Sequence, residues 1–224
     1  ANGYAEQDPT ADVEGHDACR KICILASLAF GRHVYPSQVP TEGISSVTLA
    51  DVAYADSCGK KIKLLGRAIR QEGDRVTAYV APHLVDGEDP LSGVEDVFNA
   101  ITVKGDAIGD VMFYGRGAGK LPTASAVVAD VIDAAKHMKT KKYLGWGPGG
   151  ADLAIPPDEL VSAWYVRAQG TPDAVKAALG NVTFLGRAGA PEGEVAFLAE
   201  PMIRANLETA LSGMKMLSAF RVLD

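Results

Sequence analysis

GYAEQDPTADVEGHDACRKICILASLAF, residues 3–30, decides how the rest of the chain is read. It holds five carboxylates, Glu6, Asp8, Asp12, Glu14 and Asp17, ahead of its first basic residue, Arg20. Lys21 follows, and then an apolar run from Ile22 to Phe30 interrupted by Ser27. Acids suit the positive end of a helix and Gly31 suits its stop, so the spacing predicts a helix over 14–30. Beyond Lys21 that helix is apolar nearly all round, the pattern of a buried element. Asp17 and Lys21 lie one helical turn apart and share a face. Lys21 also falls in line with Ile24, Leu25 and Leu28, on the side expected to face the core.

Working outward, a loop with Pro36, Pro40 and Gly43 leads to a short helix over 49–57. KKIKLLGRAIR (60–70) and RVTAYVAPHL (75–84) flank QEGD and read as one hairpin. NAITVKG (99–105) and DVMFYG (110–115) flank DAIG and read as a second, with a short helix between them at 90–98. Together they predict an α+β unit: a largely antiparallel sheet of about four strands, covered by the opening helix. PTASAVVADVIDAAKHM (122–138) starts on a proline and reads as a helix. Gly and Pro cluster over 139–158, which reads as a linker. Residues 159–224 alternate as strand 162–169, helix 172–179, strands 182–187 and 194–199, helix 203–212 and strand 215–222. That βαββαβ order is the split βαβ of ferredoxin-like folds. The expected division is therefore 1–138, a linker at 139–158, and 159–224.

Composition narrows the function. Among 224 residues, 47% are apolar and 22% charged, as in an ordinary globular protein. A net charge of −6 and the lack of a long Lys/Arg run argue against nucleic-acid binding; KTKK at 139–142 is short. No apolar stretch is long enough to span a membrane as a helix. Three cysteines, Cys19, Cys23 and Cys58, make no even disulfide framework, so a reducing, cytoplasmic setting is expected.

The acids admit two readings, a solvated cap on a helix or a pocket for a cation. A metal fits less well than a substrate ammonium, because no His-x-x-x-His pair or EF-hand comb is present. Cys19 and Cys23 read as packing residues. His16, His33, His83 and His137 are scattered, with no nucleophile beside them in a recognisable motif. GRGAGK (115–120) fails both the Walker A pattern and the dinucleotide pattern G-x-G-x-x-G. Its context is a strand, a Gly-rich turn and a helix N-terminus, which suits an anion.

Two motifs taken together resemble the catalytic region of homoserine dehydrogenase. The family run G-[YF]-x-E-x-D-P-x-x-D-[VL]-x-G-x-D-x-x-x-K is met at Gly3, Tyr4, Glu6, Asp8, Pro9, Asp12, Val13, Gly15, Asp17 and Lys21. GRGAGKLPTASAVVADV (115–131) is the second match, and TEGI (41–44) and KIKLLG (61–66) are also family-like. The resemblance covers residues 1–138. It implies interconversion of L-homoserine and L-aspartate 4-semialdehyde, with hydride passing to or from NAD or NADP. It further implies that Glu6, Asp12 and Asp17 hold the substrate and that Lys21 is the acid–base group. Gly3, with the turn at Gly117 and Gly119, would lie against the cofactor. The sheet would form a homodimer surface, and no metal ligand is implied among these residues.

The family's cofactor domain and its second active-site lysine with a monovalent-cation site find no match in this sequence. The chain, which opens on Ala1, is therefore expected to be part of a longer polypeptide and inactive by itself. The tail resembles an ACT-type regulatory domain, which implies a threonine effector. Its turn GTPDA (170–174) lacks the glycine that ACT effector turns usually carry after the proline. The competing reading is a dimerising or amino-acid-sensing module without catalysis.

Overall fold

The computed structural model describes residues 8–143 and 145–224. The first helical elements are α1 (Thr10–Val13) and α2 (His16–Phe30), followed by α3 (Leu49–Ser57). Strands β1 (Lys60–Arg70) and β2 (Val76–Asp86) form the first hairpin, in register from Lys60↔Asp86 to Arg70↔Val76. The second hairpin is β3 (Phe98–Gly105) with β4 (Gly109–Arg116), and it leads into α4 (Lys120–Lys136). The tail runs β5 (Ser162–Gln169), α5 (Pro172–Leu179), β6 (Val182–Leu185), β7 (Glu194–Met202), α6 (Arg204–Ala210) and β8 (Lys215–Val222).

The expected four-stranded sheet is not what forms. The second hairpin stands apart as a two-stranded sheet, while β1 and β2 join the tail in a six-stranded sheet of order β1-β2-β8-β5-β7-β6. The reason lies at the free edge of β2. That edge is taken in turn by Ala154 beside Val76, by Thr41 beside Val80, and by β8 at His83 and Leu84. No edge of β2 is left for β3. All pairings within the six-stranded sheet are antiparallel except β2 with β8.

Strand β2 is buried along nearly its whole length, because both of its faces are covered. Strand residues alternate between faces. Val76, Ala78 and Val80 pack under Cys19, Ile22, Cys23 and Ala26 of α2. Further along the same face, Leu84 packs under Tyr54 and Ala55 of α3. Tyr79 and His83 point to the other face and are just as deeply buried.

Helix α2 is one-sided, not buried all round as its sequence predicts. Ile24 and Leu28 are 54% and 52% exposed, because only one face of the helix meets the sheet. The helix expected over 14–30 forms as one helix that starts two residues later, at His16 behind Gly15, and a separate short helix, α1, precedes it. The expected helix at 90–98 shrinks to one 3-10 turn, Pro90–Gly93, held by the Asp89 carboxylate accepting from the Leu91 N–H. The Gly/Pro-rich connection is anchored where it passes α2. Gly147 bridges Arg32, and Leu153 is fully buried in the core formed by α2 and β2.

In the tail, β5, α5 and β8 match the expected bounds, and the other elements fall within a few residues of theirs. The strand order is β8-β5-β7-β6, with α5 and α6 on one face. Val175 and Leu207 of those helices pack on Trp164, Val166 and Phe197. The opposite face, through Tyr165, Ala196 and Phe220, packs on Tyr54 and Ala55 of α3. Helix α3 therefore sits across the seam between the β1–β2 hairpin and the tail.

Candidate active site

The acidic segment is built as a short helix, a glycine joint and a long helix. The Asp8 carboxylate accepts from the Thr10 N–H at 3.0 Å and its hydroxyl at 2.5 Å, which holds the carboxyl below its ordinary value. Gly15 then adopts φ 76°, a left-handed conformation that L side chains rarely tolerate. A Cβ there would also meet methyl groups of Thr41 and Val80 at 3.1 Å. The TEGI segment clamps this joint. The Ile44 N–H donates to the Val13 carbonyl at 2.8 Å, and a Cβ on Gly43 would lie 2.6 Å from Glu14 Cα. The two stretches that carry part of the family resemblance are thus one structural unit.

Asp17 and Lys21 meet as their spacing requires, Nζ to Oδ2 at 2.6 Å. The structure corrects where they point. Both side chains are about half exposed, on the open side of α2 with Ile24 and Leu28, and not toward the sheet. An exposed ion pair contributes little to stability. What this one does is fix an ammonium group beside a carboxylate on a helix whose other face is locked into the core. Asp12, on α1, is exposed and lies across the Gly15 joint from the pair. Cys19 and Cys23 are buried packing residues; burial pushes the Cys23 thiol up to about 12, far from a reactive thiolate.

The Gly-rich turn lies on a different element. The Gly117 N–H donates to the Val97 carbonyl at 2.9 Å, and a Cβ on Gly117 would fall on the Asn99 side-chain amide. Gly119, φ 127°, is the N-cap of α4, a helix of 17 residues whose first turn has no side-chain cap. Its leading N–H groups are free to face an anion. Helix α4 has no buried residue and packs extensively on no other element among the described residues. The structure therefore brings Asp17 to Lys21 but does not bring Gly117 and Gly119 against them. Gly3 and Glu6 lie outside the described residues.

Two groups carry more than the sequence reading gave them: Asp51, which it did not single out, and His83, which it left among the scattered histidines. Asp51 of α3 is fully buried and accepts from Arg167 of β5 at 2.8 Å, Tyr165 at 3.0 Å and Ser218 at 2.5 Å. Burial alone would raise its carboxyl, but the bonds from Arg167, Ser218 and Thr48 outweigh it and hold it at about 2. Arg167 also reaches Glu194, which pairs with Arg187. The only local signal for Asp51 is its capping box with Thr48. His83 is fully buried between the Ala81 carbonyl and the Tyr79 hydroxyl, and burial pushes it down to about 4. Among the described residues no three His, Cys, Asp or Glu side chains group as metal ligands, and no helix is long and apolar enough to cross a membrane.

Comparison with known proteins bears on the whole arrangement. The family model described as homoserine dehydrogenase matches residues 1–132. A homoserine dehydrogenase of Neisseria gonorrhoeae is 43% identical over 176 residues, covering 75% of this chain and 40% of that protein. One from Pseudomonas aeruginosa is 46% identical with the same coverage. Among solved structures, a homoserine dehydrogenase from Thiobacillus denitrificans superposes with a TM-score of 0.83 at 31% identity, covering 98% of this chain and 56% of that one. The Staphylococcus aureus enzyme gives 0.77 at 36% identity, with the same coverage. The chain thus spans 40% of the length of the two curated relatives and somewhat over half of the two solved chains.

Proposed function

The chain belongs to the homoserine dehydrogenase family, and from that premise we propose that it forms the substrate-binding part of an enzyme interconverting L-homoserine and L-aspartate 4-semialdehyde. The observation that carries this reading is the Asp17–Lys21 pair, 2.6 Å apart on the open face of a core-anchored helix. Lys21 donates a proton to the carbonyl oxygen as the alcohol forms, and takes it back in the reverse direction. Asp17 holds the Lys21 ammonium in place and, with Asp12 and Glu6, binds the amino-acid end of the substrate. The exposed Ile24 and Leu28 supply an apolar rim against which a closing surface excludes water.

NAD or NADP supplies or accepts the hydride. What supports the turn at Gly117 and Gly119 as the place of such a group on this chain's side is the set of uncapped helix N–H donors that follows it at the head of α4. Gly3 joins this cofactor surface. The family resemblance supports the rest of the reading: a homodimer, a cytoplasmic enzyme serving threonine, methionine and isoleucine synthesis, and an ACT-like tail over 159–224 responsive to threonine. The division at 139–158 belongs to that same reading. Three free cysteines accord with the reducing compartment. The strand order of the tail accords with a ferredoxin-like unit.

The test is turnover of L-homoserine with NAD or NADP, followed by the absorbance of the reduced nicotinamide. The intact gene product is expected to be active, and residues 1–224 alone inactive or nearly so. Robust turnover by residues 1–224 alone would contradict the half-site reading. An intact product that cannot oxidise homoserine would contradict the assignment itself.

A further inference from the structure

On the sheet face opposite α2, β2 and β8 splay apart over a cleft of about 430 Å³, within the range of roughly 300–1,000 Å³ usual for small-ligand sites. Its walls include Tyr79, Trp164, Arg221, Arg204, Glu42 and Asp158. Arg221 is 5% exposed and has no carboxylate partner among the described residues. Its guanidinium lies over the rings of Trp164 at 4.5 Å and Tyr79 at 5.5 Å, so aromatic surface fixes its plane. Three of its N–H groups reach neutral oxygens: the Leu160 and Pro157 carbonyls and the Ser162 hydroxyl. Nε has no acceptor among the described residues. Among the described residues the sealed, unpartnered side-chain polar atom is Thr77 Oγ1, so Nε is not walled off.

A buried cation that faces a cleft without an anion is costly unless something else completes it. The surroundings sharpen that cost. Arg204, a second guanidinium, lines the same cleft, but it is already paired with Glu42 at 2.6 Å and Glu208 at 2.9 Å. Burial, with Arg204 beside it, holds the Arg221 guanidinium below its ordinary value, while Tyr79, Asp158 and Glu42 act in the other direction. Asp158 is exposed and lines the same cleft, and it forms no ion pair among the described residues, so the cleft carries a cation and an anion that are not joined in an ion pair.

We propose that this cleft binds a small zwitterion of amino-acid size, its carboxylate on the edge of Arg221 and its ammonium toward Asp158. The site is separate from the Asp17–Lys21 pair: neither residue lines the cleft, and both stand on the side of α2 turned away from the sheet. It is also separate from the 170–174 turn, none of whose residues line the cleft. The proposal does not rest on the enzymatic reading.

Calorimetry on the 224-residue chain tests it, with the standard L-amino acids as individual probes and acetate as the single-charge control. At least one amino acid is expected to bind one per chain below about 10 mM, and acetate roughly tenfold more weakly. Asp158→Asn, an exposed change that leaves the fold alone, is expected to weaken amino-acid binding roughly tenfold and leave acetate unchanged. Arg221→Gln is expected to abolish both, while Lys21→Ala changes neither. Silence from every probe on the folded chain would overturn the proposal. So would binding indifferent to Asp158→Asn and Arg221→Gln, or binding lost with Lys21→Ala.

Discussion

Asp51 and His83 show what single buried groups contribute and how each responds to pH. Removing the Asp51 carboxylate strands Arg167 in the interior, so Asp51→Ala is expected to cost about 3–5 kcal/mol in denaturant unfolding. The pH dependence has two windows. His83 titrates near 4 when folded, below its ordinary 6.5, so the unfolded chain takes up a proton that the native one refuses. Stability therefore falls as pH drops from 6.5 toward 4, by at most about 3 kcal/mol, and this part of the loss disappears in His83→Gln. Asp51, held at about 2 against an ordinary 3.8, contributes stability that is lost only between those values as pH falls further. Neither group could be read from sequence. Asp51 and Arg167 lie 116 residues apart, and only the fold brings them together. Asp17 and Lys21 were legible because helix geometry alone makes that contact.

At the scale of elements, the joint between α1 and α2 governs where the acids point. Gly43→Ala drives a methyl onto the backbone of Val13 and Glu14 and is expected to cost about 1–3 kcal/mol by thermal or denaturant unfolding. Gly93→Ala, where a Cβ meets open space and φ is not positive, serves as the control, expected within about 0.5 kcal/mol of the parent. Most helices and strands could be read from periodicity and turn residues, and the tail elements closely. What could not be read was orientation. A helix apolar on two faces looks buried, yet α2 meets the sheet with one face and leaves Ile24 and Leu28 open. Likewise, both hairpins show strand patterns, but nothing local says that the edge of β2 is taken by β8 and not by β3.

Across the whole molecule, the hairpin β3–β4 and helix α4 carry exposed apolar residues that nothing among the described residues covers, among them Phe113, Leu121, Val128 and Val131. A surface of this kind favours association. Sedimentation of the 224-residue chain is expected to show a dimer, and Phe113→Asp to shift it to monomer without loss of helix signal. The central claim, that Lys21 on the open face of α2 moves the proton, is tested most directly by the turnover number of Lys21→Arg in the intact enzyme. Arginine can keep the ion pair with Asp17, but it does not release a proton near neutral pH. The expected result is a loss of roughly a hundredfold or more in kcat, with folding intact. A variant that turns over homoserine at close to the parent rate would contradict the assignment of Lys21.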